Sequence, residues 1–406
     1  MNLFPRPQYL GELLAVEGND LVRLISGVRR SGKSTLLQLY REELESQGVS
    51  ADRILVVNFE DMANDALRDA NAFHEFAVEA IANGVTHLHV DEVQELDQWA
   101  RVINSLRSTE QVEICVTGSN ASMFVGEGLT YLAGRYITIE IFPLSLEEFR
   151  IFTQTPELEP TDVSYQRWMD TGGFARSVLA TTPDLTRQMN RDLFDSIFTR
   201  DIALRGEVRD TAVFLRVAAF VLDNAGSPLS ANKISNTLKS SGVKVSTDTV
   251  DRYLKLMTDA HLIYPCHRFD TRGRGWLKST PKYYWVDAGL RDALTGRRGS
   301  NSGHDLENQV FLELQRQRYE VFTGISRGGE IDFLARRDDV TLYIQVALTA
   351  MDPTVLDREL SSFVGLPPGS HCILITGDRV RLATGNVDQI NAFDFLSRQA
   401  QLNGVW

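Results

Sequence analysis

GVRRSGKST, residues 27–35, decides how the first third of the chain is read. The apolar run LVRLIS (21–26) precedes it and LLQLYREEL (36–44) follows, so a glycine-lysine loop joins a strand to a helix. Gly27, four residues, then Gly32-Lys33-Ser34 satisfy G-x-x-x-x-G-K-[ST] in full. Glycine lets the backbone pass close to phosphate oxygens in dihedrals that other residues resist. Freed N–H groups and the helix N-terminus supply partial positive charge. Gly27, Val28, Arg29, Arg30, Ser31, Gly32, Lys33, Ser34 and Thr35 therefore form the expected nucleotide cradle. Lys33 is placed to reach the β- and γ-phosphates of ATP, and Ser34 to hold Mg²⁺. Arg29 and Arg30 either touch phosphate or stand in solvent.

Working outward, RILVVNF (53–59), THLHV (86–90), EICVTG (113–118) and YITIEIF (136–142) alternate with stretches of helical apolar spacing. That order predicts a mostly parallel α/β sheet over residues 1–150. LHVDEVQEL (88–96) ends a strand in two acids. Asp91 is expected to hold the hydrated Mg²⁺ and Glu92 to polarise a water for attack on the γ-phosphate. In CVTGSNASMF (115–124), Asn120 is a candidate contact to the γ-phosphate or the water, with Thr117 the lesser one. Asn120 capping the next helix is the competing reading. Arg135, just before a strand, is either an arginine finger toward a neighbouring subunit or part of an ion pair.

SGVRRSGKSTLL, VDEVQ, VTGSNASMF and LAGRYITIEIFPLSLEEF together resemble the AAA-type ATPase domain of a large bacterial and archaeal family. The resemblance implies ATPase activity, with the acid pair as the Walker B motif and the asparagine as the sensor residue. It extends over nearly the whole chain and leaves the biological task open.

QTPELEPTD (154–162) reads as a linker, and residues 151–210 as a helical connection. From 211 to 298, three helices precede a basic, glycine-containing hairpin, HRFDTRGRGWLKSTPKYYWVD. This order predicts a winged helix-turn-helix with the third helix as the recognition helix. Residues 230–298 carry 13 Lys and Arg against 6 Asp and Glu, a net of +7 that leaves −19 for the rest. Such a local inversion suits a phosphate-binding patch. Thr249, Arg252 and Lys255 on the helix, with Arg272 and Arg274 in the wing, are the candidate contacts to double-stranded DNA. Docking of a protein is the alternative.

Residues 299–406 offer LENQVFLELQRQRYEVF, GGEIDFLARRDDV and LYIQVALT, which resemble a PD-(D/E)XK, restriction-endonuclease-like α/β module. Glu307 and Asp332 take the acidic positions, and Glu330 is a further acid without a clear match. Where Glu-x-Lys is expected stand Gln345, Val346 and Ala347, and no lysine occurs from 283 to 406. The module is expected to lack ordinary nuclease activity, because a metal ligand and the water-orienting ammonium are both missing.

Composition bounds the whole. The net charge of −12 argues against non-specific nucleic-acid binding by the entire surface. Cys115, Cys266 and Cys372 are too scattered for a disulfide framework or a zinc site, which suits a reducing cytoplasm. No apolar run is long enough to span a membrane. The expectation is a cytoplasmic, Mg²⁺-dependent ATPase whose nucleotide state controls a DNA-binding winged helix. A slow nucleotide-gated scaffold, with a protein or second copy as partner, is the main rival. An active nuclease is a lesser one.

Overall fold

In a computed structural model of the chain, residues 3–121, 131–270, 275–276, 280–296, 302–383, 385–400 and 402 are described. The chain divides into two units, Met1–Phe142 with Asp259–His261, and Pro143–Thr258 with Leu262–Trp406. The borders expected at 210 and 298 fall inside the second.

The first unit contains helices α1 (Pro7–Leu14), α2 (Lys33–Ser46), α3 (Ala70–Ala82) and α4 (Trp99–Thr109). Its strands are β1 (Val22–Ser26), β2 (Ile54–Asn58), β3 (His87–Asp91), β4 (Glu113–Gly118) and β5 (Tyr136–Glu140). They form one sheet in the order β2-β3-β4-β1-β5, with every pairing parallel. Every residue of β1 and β3 is buried, as expected of strands covered on both faces. Leu24, Leu88, Val90 and Val116 pack with α3 and α4 side chains such as Phe73 and Ile103 in one core. Ile25 and Cys115 pack with Tyr9, Leu36 and Tyr40 of α1 and α2 in the other. Each fully buried side chain of this kind contributes roughly 1.5–3 kcal/mol. Arg23 sits inside β1 with its charge bonded to Glu113 Oε2 at 2.9 Å and Leu13 O at 3.1 Å.

The second unit begins with α5 (Leu146–Phe152), which a reciprocal Ser145–Glu148 capping box opens. α6 (Thr161–Thr171), α7 (Ala175–Val178) and α8 (Pro183–Ile197) follow, and a π-helical turn at Phe198–Ala203 prolongs the last. α9 (Thr211–Asp223), α10 (Ala231–Ser240) and α11 (Thr247–Asp259) are the three helices expected after residue 211, and Ser230 caps α10 as its sequence suggests. β6 (Ile263–Cys266) pairs with β9 (Lys282–Trp285).

The expected basic hairpin is divided. Its inner pair, β7 (Arg268–Asp270) and β8 (Gly275–Trp276), leaves β6 and β9 and continues a larger sheet through β10 (Glu320–Ile325). Phe269, packed with Phe322 and Leu334, supplies the apolar anchor for that departure. The larger sheet adds β11 (Glu330–Arg337), β12 (Val340–Ala347), β13 (His371–Thr376) and β14 (Val387–Asn391), in the order β14-β13-β12-β11-β10-β7-β8. α12 (Ala288–Thr295), α13 (Ser302–Arg316), α14 (Pro353–Ser361) and α15 (Ala392–Leu396) complete the unit. Among the described residues no helix is long and apolar enough to cross a membrane.

Candidate functional site

Parallel strands deliver their C-terminal ends to one edge of a sheet, and that edge collects the loop and the acids of the first unit. The loop leaves β1 and enters α2. Gly27 has φ +141°, and a Cβ there would stand 2.2 Å from the Ile141 carbonyl oxygen. Gly32, with φ +103°, is the N-cap of α2. Both glycines are therefore required by the backbone. Lys33 is buried, its ammonium donating to Gly27 O at 3.0 Å and Val28 O at 3.2 Å. Ser34 is exposed in the first turn of α2, Arg30 is exposed, and Arg29 is 3.4 Å from Glu60 Oε1.

Asp91 ends β3, separated from β1 by β4 alone. Thr117 joins the two acids: its hydroxyl donates to Asp91 Oδ1 at 2.5 Å and accepts the Glu92 N–H at 3.0 Å. Glu92 adopts a left-handed backbone, φ +56°, and its carboxylate accepts a bond from Gln94 Nε2. Burial pushes the Glu92 carboxyl above the ordinary glutamate range, against the pull of Lys33, Gln94 and Arg29. Ser34 and Asp91 offer a hydroxyl and a carboxylate, the kind of oxygen donors that could hold a Mg²⁺ ion.

Asn120 is buried just beyond β4, beside the same edge. Arg135 is not: its carbonyl accepts from Val22 N at 3.0 Å, at the starting end of β1. Four residues of strand, roughly 13 Å, separate Val22 from Ser26 and the loop edge. Its exposed side chain is remote from this chain's own loop.

Sequence reasoning passed over two residues here. Arg6 is buried and donates to Ser31 O, 25 positions away. His261 belongs to this unit, its Nε2 lying 2.9 Å from Ser26 Oγ and its Nδ1 2.7 Å from Glu140 Oε1. Nothing local in the sequence marks either.

In the second unit, Glu307 on α13, Asp332 on β11 and Gln345 on β12 do come together. The expectation that no lysine accompanies them needs correction. Lys282, at the start of β9 and one position ahead of the lysine-free stretch, has its ammonium 3.1 Å from Glu307 Oε1, 2.9 Å from Glu330 Oε1 and 4.0 Å from Asp332 Oδ1. Tyr284 donates to Glu307 Oε1 at 2.7 Å. Gln345 accepts the Asp332 N–H at 2.7 Å and donates to Glu359 Oε2 at 2.8 Å. Burial, then Glu307, pushes the Asp332 carboxyl up to about 8. Burial works against the charge of Lys282, yet Glu307, Asp332 and Glu330 hold its ammonium above the usual lysine range. Among the described residues no three His, Cys, Asp or Glu side chains converge as a metal cage.

On α11, Arg252 and Lys255 are exposed, while the Thr249 hydroxyl is engaged with Ser246 Oγ at 2.8 Å. Arg272 and Arg274 lie outside the described residues.

Comparison with known proteins agrees with the first unit's geometry. A family described as an AAA domain matches residues 19–150, and one described as a domain of unknown function (DUF8612) matches residues 163–301. An uncharacterized protein of Haemophilus influenzae is 38% identical over 381 residues, 92% of this chain and 94% of its own length. Uncharacterized protein MJ1544 of Methanocaldococcus jannaschii is 28% identical, over 84% of this chain and 78% of its own. Among solved structures, the Walker-type ATPase PABY2304 of Pyrococcus abyssi is 14% identical with a TM-score of 0.47, covering 72% of this chain and 95% of that one.

Proposed function

The chain belongs to the family of that Haemophilus influenzae protein, with an AAA domain at its N-terminal end, and from this premise we propose that it is a Mg²⁺-dependent ATPase whose nucleotide state controls a DNA-contacting helical segment. One observation carries the ATPase reading. The loop Gly27–Ser34 and the pair Asp91–Glu92 stand at the same edge of one parallel sheet, with one strand between them. The loop N–H groups receive the phosphates, Lys33 meets their negative charge, and Ser34 and Asp91 hold the ion. Mg²⁺, when bound, neutralises charge that develops on the phosphate oxygens. Glu92 takes a proton from water as the water oxygen bonds the γ-phosphorus and the bond to the β–γ bridging oxygen breaks. Its raised affinity for protons suits a general base.

The DNA reading rests on α9–α11 followed by β6 and β9, on the charge of +7 over 230–298, and on exposed Arg252 and Lys255. Arg135, remote from its own loop, serves as a finger only toward a second copy. The deciding experiment is steady-state ATP hydrolysis by the wild type and Glu92→Gln, with and without duplex DNA at two salt concentrations. Hydrolysis that DNA stimulates and Glu92→Gln abolishes supports the proposal. Turnover indifferent to DNA would favour a protein partner instead.

A second reading has its own observation. With Lys282 among Glu307, Glu330 and Asp332, the ammonium that the sequence lacks at position 347 is supplied from β9. That favours Mg²⁺-dependent phosphodiester cleavage by the C-terminal module. Plasmid nicking by wild type that Lys282→Met abolishes at a temperature where the variant remains folded would establish it, and absence of nicking by wild type would dispose of it.

A further inference from the structure

We propose that Arg6 is a positioning residue for the nucleotide loop, holding the Ser31–Gly32 peptide in the orientation that receives phosphate. The inference rests on the ATP reading and extends it to a residue outside the motif.

The geometry is specific. Arg6 is 6% exposed, its Nη1 donates to Ser31 O at 3.2 Å, and its Nη2 donates to Phe142 O at 3.0 Å. Its Cζ lies 4.6 Å over the Tyr9 ring, which fixes the plane of the guanidinium. A Cβ placed on Gly32 would come within 3.7 Å of Arg6 Nη1, so the fork lies directly against the loop's second glycine.

A trans peptide is planar, and its C=O and N–H point in opposite directions. Drawing the Ser31 carbonyl onto Arg6 therefore turns the Gly32 N–H to the opposite side, the side from which the loop receives phosphate. Gly32 would otherwise be free to rotate, because glycine restrains its own dihedrals least.

The strap also has a fixed far end. Phe142 directly follows Ile141, whose N–H donates to Ser26 O at 2.8 Å and whose carbonyl stands against Gly27. Gly27, at the loop's entrance, and Ser31, near its exit, are thus referred to one two-residue segment, the second through Arg6. The fork geometry matters here. A guanidinium reaches two carbonyls at once in a fixed plane, whereas an ammonium on a flexible stem does not reproduce that arrangement.

The test uses the full chain and Mg²⁺-ATP, with Arg6→Ala and Arg6→Lys compared against the wild type. ATP affinity is measured by calorimetry well below each melting midpoint, and KM and kcat are measured separately. The expected result for Arg6→Ala is a Kd and KM raised about tenfold, the loss of one charge-assisted hydrogen bond. Its kcat should stay within about threefold of wild type, because Asp91, Glu92 and Thr117 are untouched. Arg6→Lys, which retains charge without the fork, should bind as weakly as Arg6→Ala. Wild-type affinity in Arg6→Ala, whatever its melting midpoint, would reduce Arg6 to a structural tie and overturn the proposal. Full recovery in Arg6→Lys would overturn the orienting role in favour of charge alone. Should Arg6→Ala fail to fold, Arg6→Gln, neutral and able to bond one carbonyl, makes the same comparison. A wild type that does not bind ATP would instead defeat the underlying ATP reading, a distinct outcome.

Discussion

Thr117→Val tests how the acid pair is held. The side chain is fully buried, and valine matches its shape while deleting the hydroxyl. That hydroxyl makes two bonds at once, donating to Asp91 Oδ1 at 2.5 Å and accepting the Glu92 N–H at 3.0 Å. Asp91 and Glu92 are themselves buried, so water has poor access to the groups released. Leaving a buried N–H unpaired costs about 1–3 kcal/mol, and a bond to a charged group contributes about 1.5–3 kcal/mol. With partial relaxation, a net destabilisation of about 3 kcal/mol follows, or a melting midpoint lower by about 6–12 °C for a unit near 150 residues. The catalytic effect is separate. Freed of Thr117, the peptide that aims Glu92 loses its anchor, and kcat for ATP should fall about a hundredfold. Thr117→Ser restores the hydroxyl and should recover most of that rate. The measurements are steady-state phosphate release and thermal unfolding on the three proteins. Wild-type kcat in Thr117→Val would refute the claim that this hydroxyl aims the acids.

Gly27→Ala should abolish ATP binding, because its Cβ would stand 2.2 Å from the Ile141 carbonyl oxygen on a backbone with φ +141°; retained binding in a calorimetric titration would count against the loop's geometry. Asp332, with its carboxyl raised to about 8, holds its proton more tightly folded than unfolded. Its contribution is fully present below the ordinary aspartate value near ~3.9 and is lost as pH rises toward 8. Asp332→Asn should therefore flatten the decline in melting midpoint between about pH 5 and 8. Glu307, lowered because His304, Lys282 and Tyr284 outweigh its burial, acts with the opposite sign only below the usual glutamate range. Lys282→Met leaves the buried Glu307 carboxylate without its cation and should destabilise by about 3–5 kcal/mol, a loss that adding Glu307→Gln partly restores.

The strand-loop-helix around GVRRSGKST and the acids closing β3 were legible because both are local: a contiguous apolar run, a glycine spacing, a strand end. What escaped is what the fold assembles at a distance. Arg6 meets Ser31 across 25 positions, Thr117 meets Asp91 across 26, and Lys282 meets Glu307 across 25. No periodicity links such pairs, and only the packing of strands around them does. The basic hairpin pairs as expected, β7 with β8 and β6 with β9, but the passage of its inner pair into the larger sheet escaped for a related reason. Its composition says turn and cation, but Phe269 finds its apolar partners on β10 and β11, and tertiary burial overrides the local pattern.

Gln345 carries this reasoning one step further. Taken alone, an amide where an acid is expected reads as a lost charge. In the fold, Gln345 Nε2 donates to Glu359 Oε2 at 2.8 Å, and Glu359 lies buried on α14. A carboxylate at 345 would set two negative oxygens against each other at that distance in a poorly solvated site, and one would have to take a proton. The amide therefore donates to Glu359 where a carboxylate would repel it, while its own oxygen still accepts the Asp332 N–H. The two charges absent from β12 have counterparts on other elements, a carboxylate on α14 and an ammonium on β9. Gln345→Glu should accordingly weaken the fold and raise the pH at which this cluster takes up a proton. Proton uptake and stability unchanged from wild type would show that Glu359 and residue 345 are electrostatically independent.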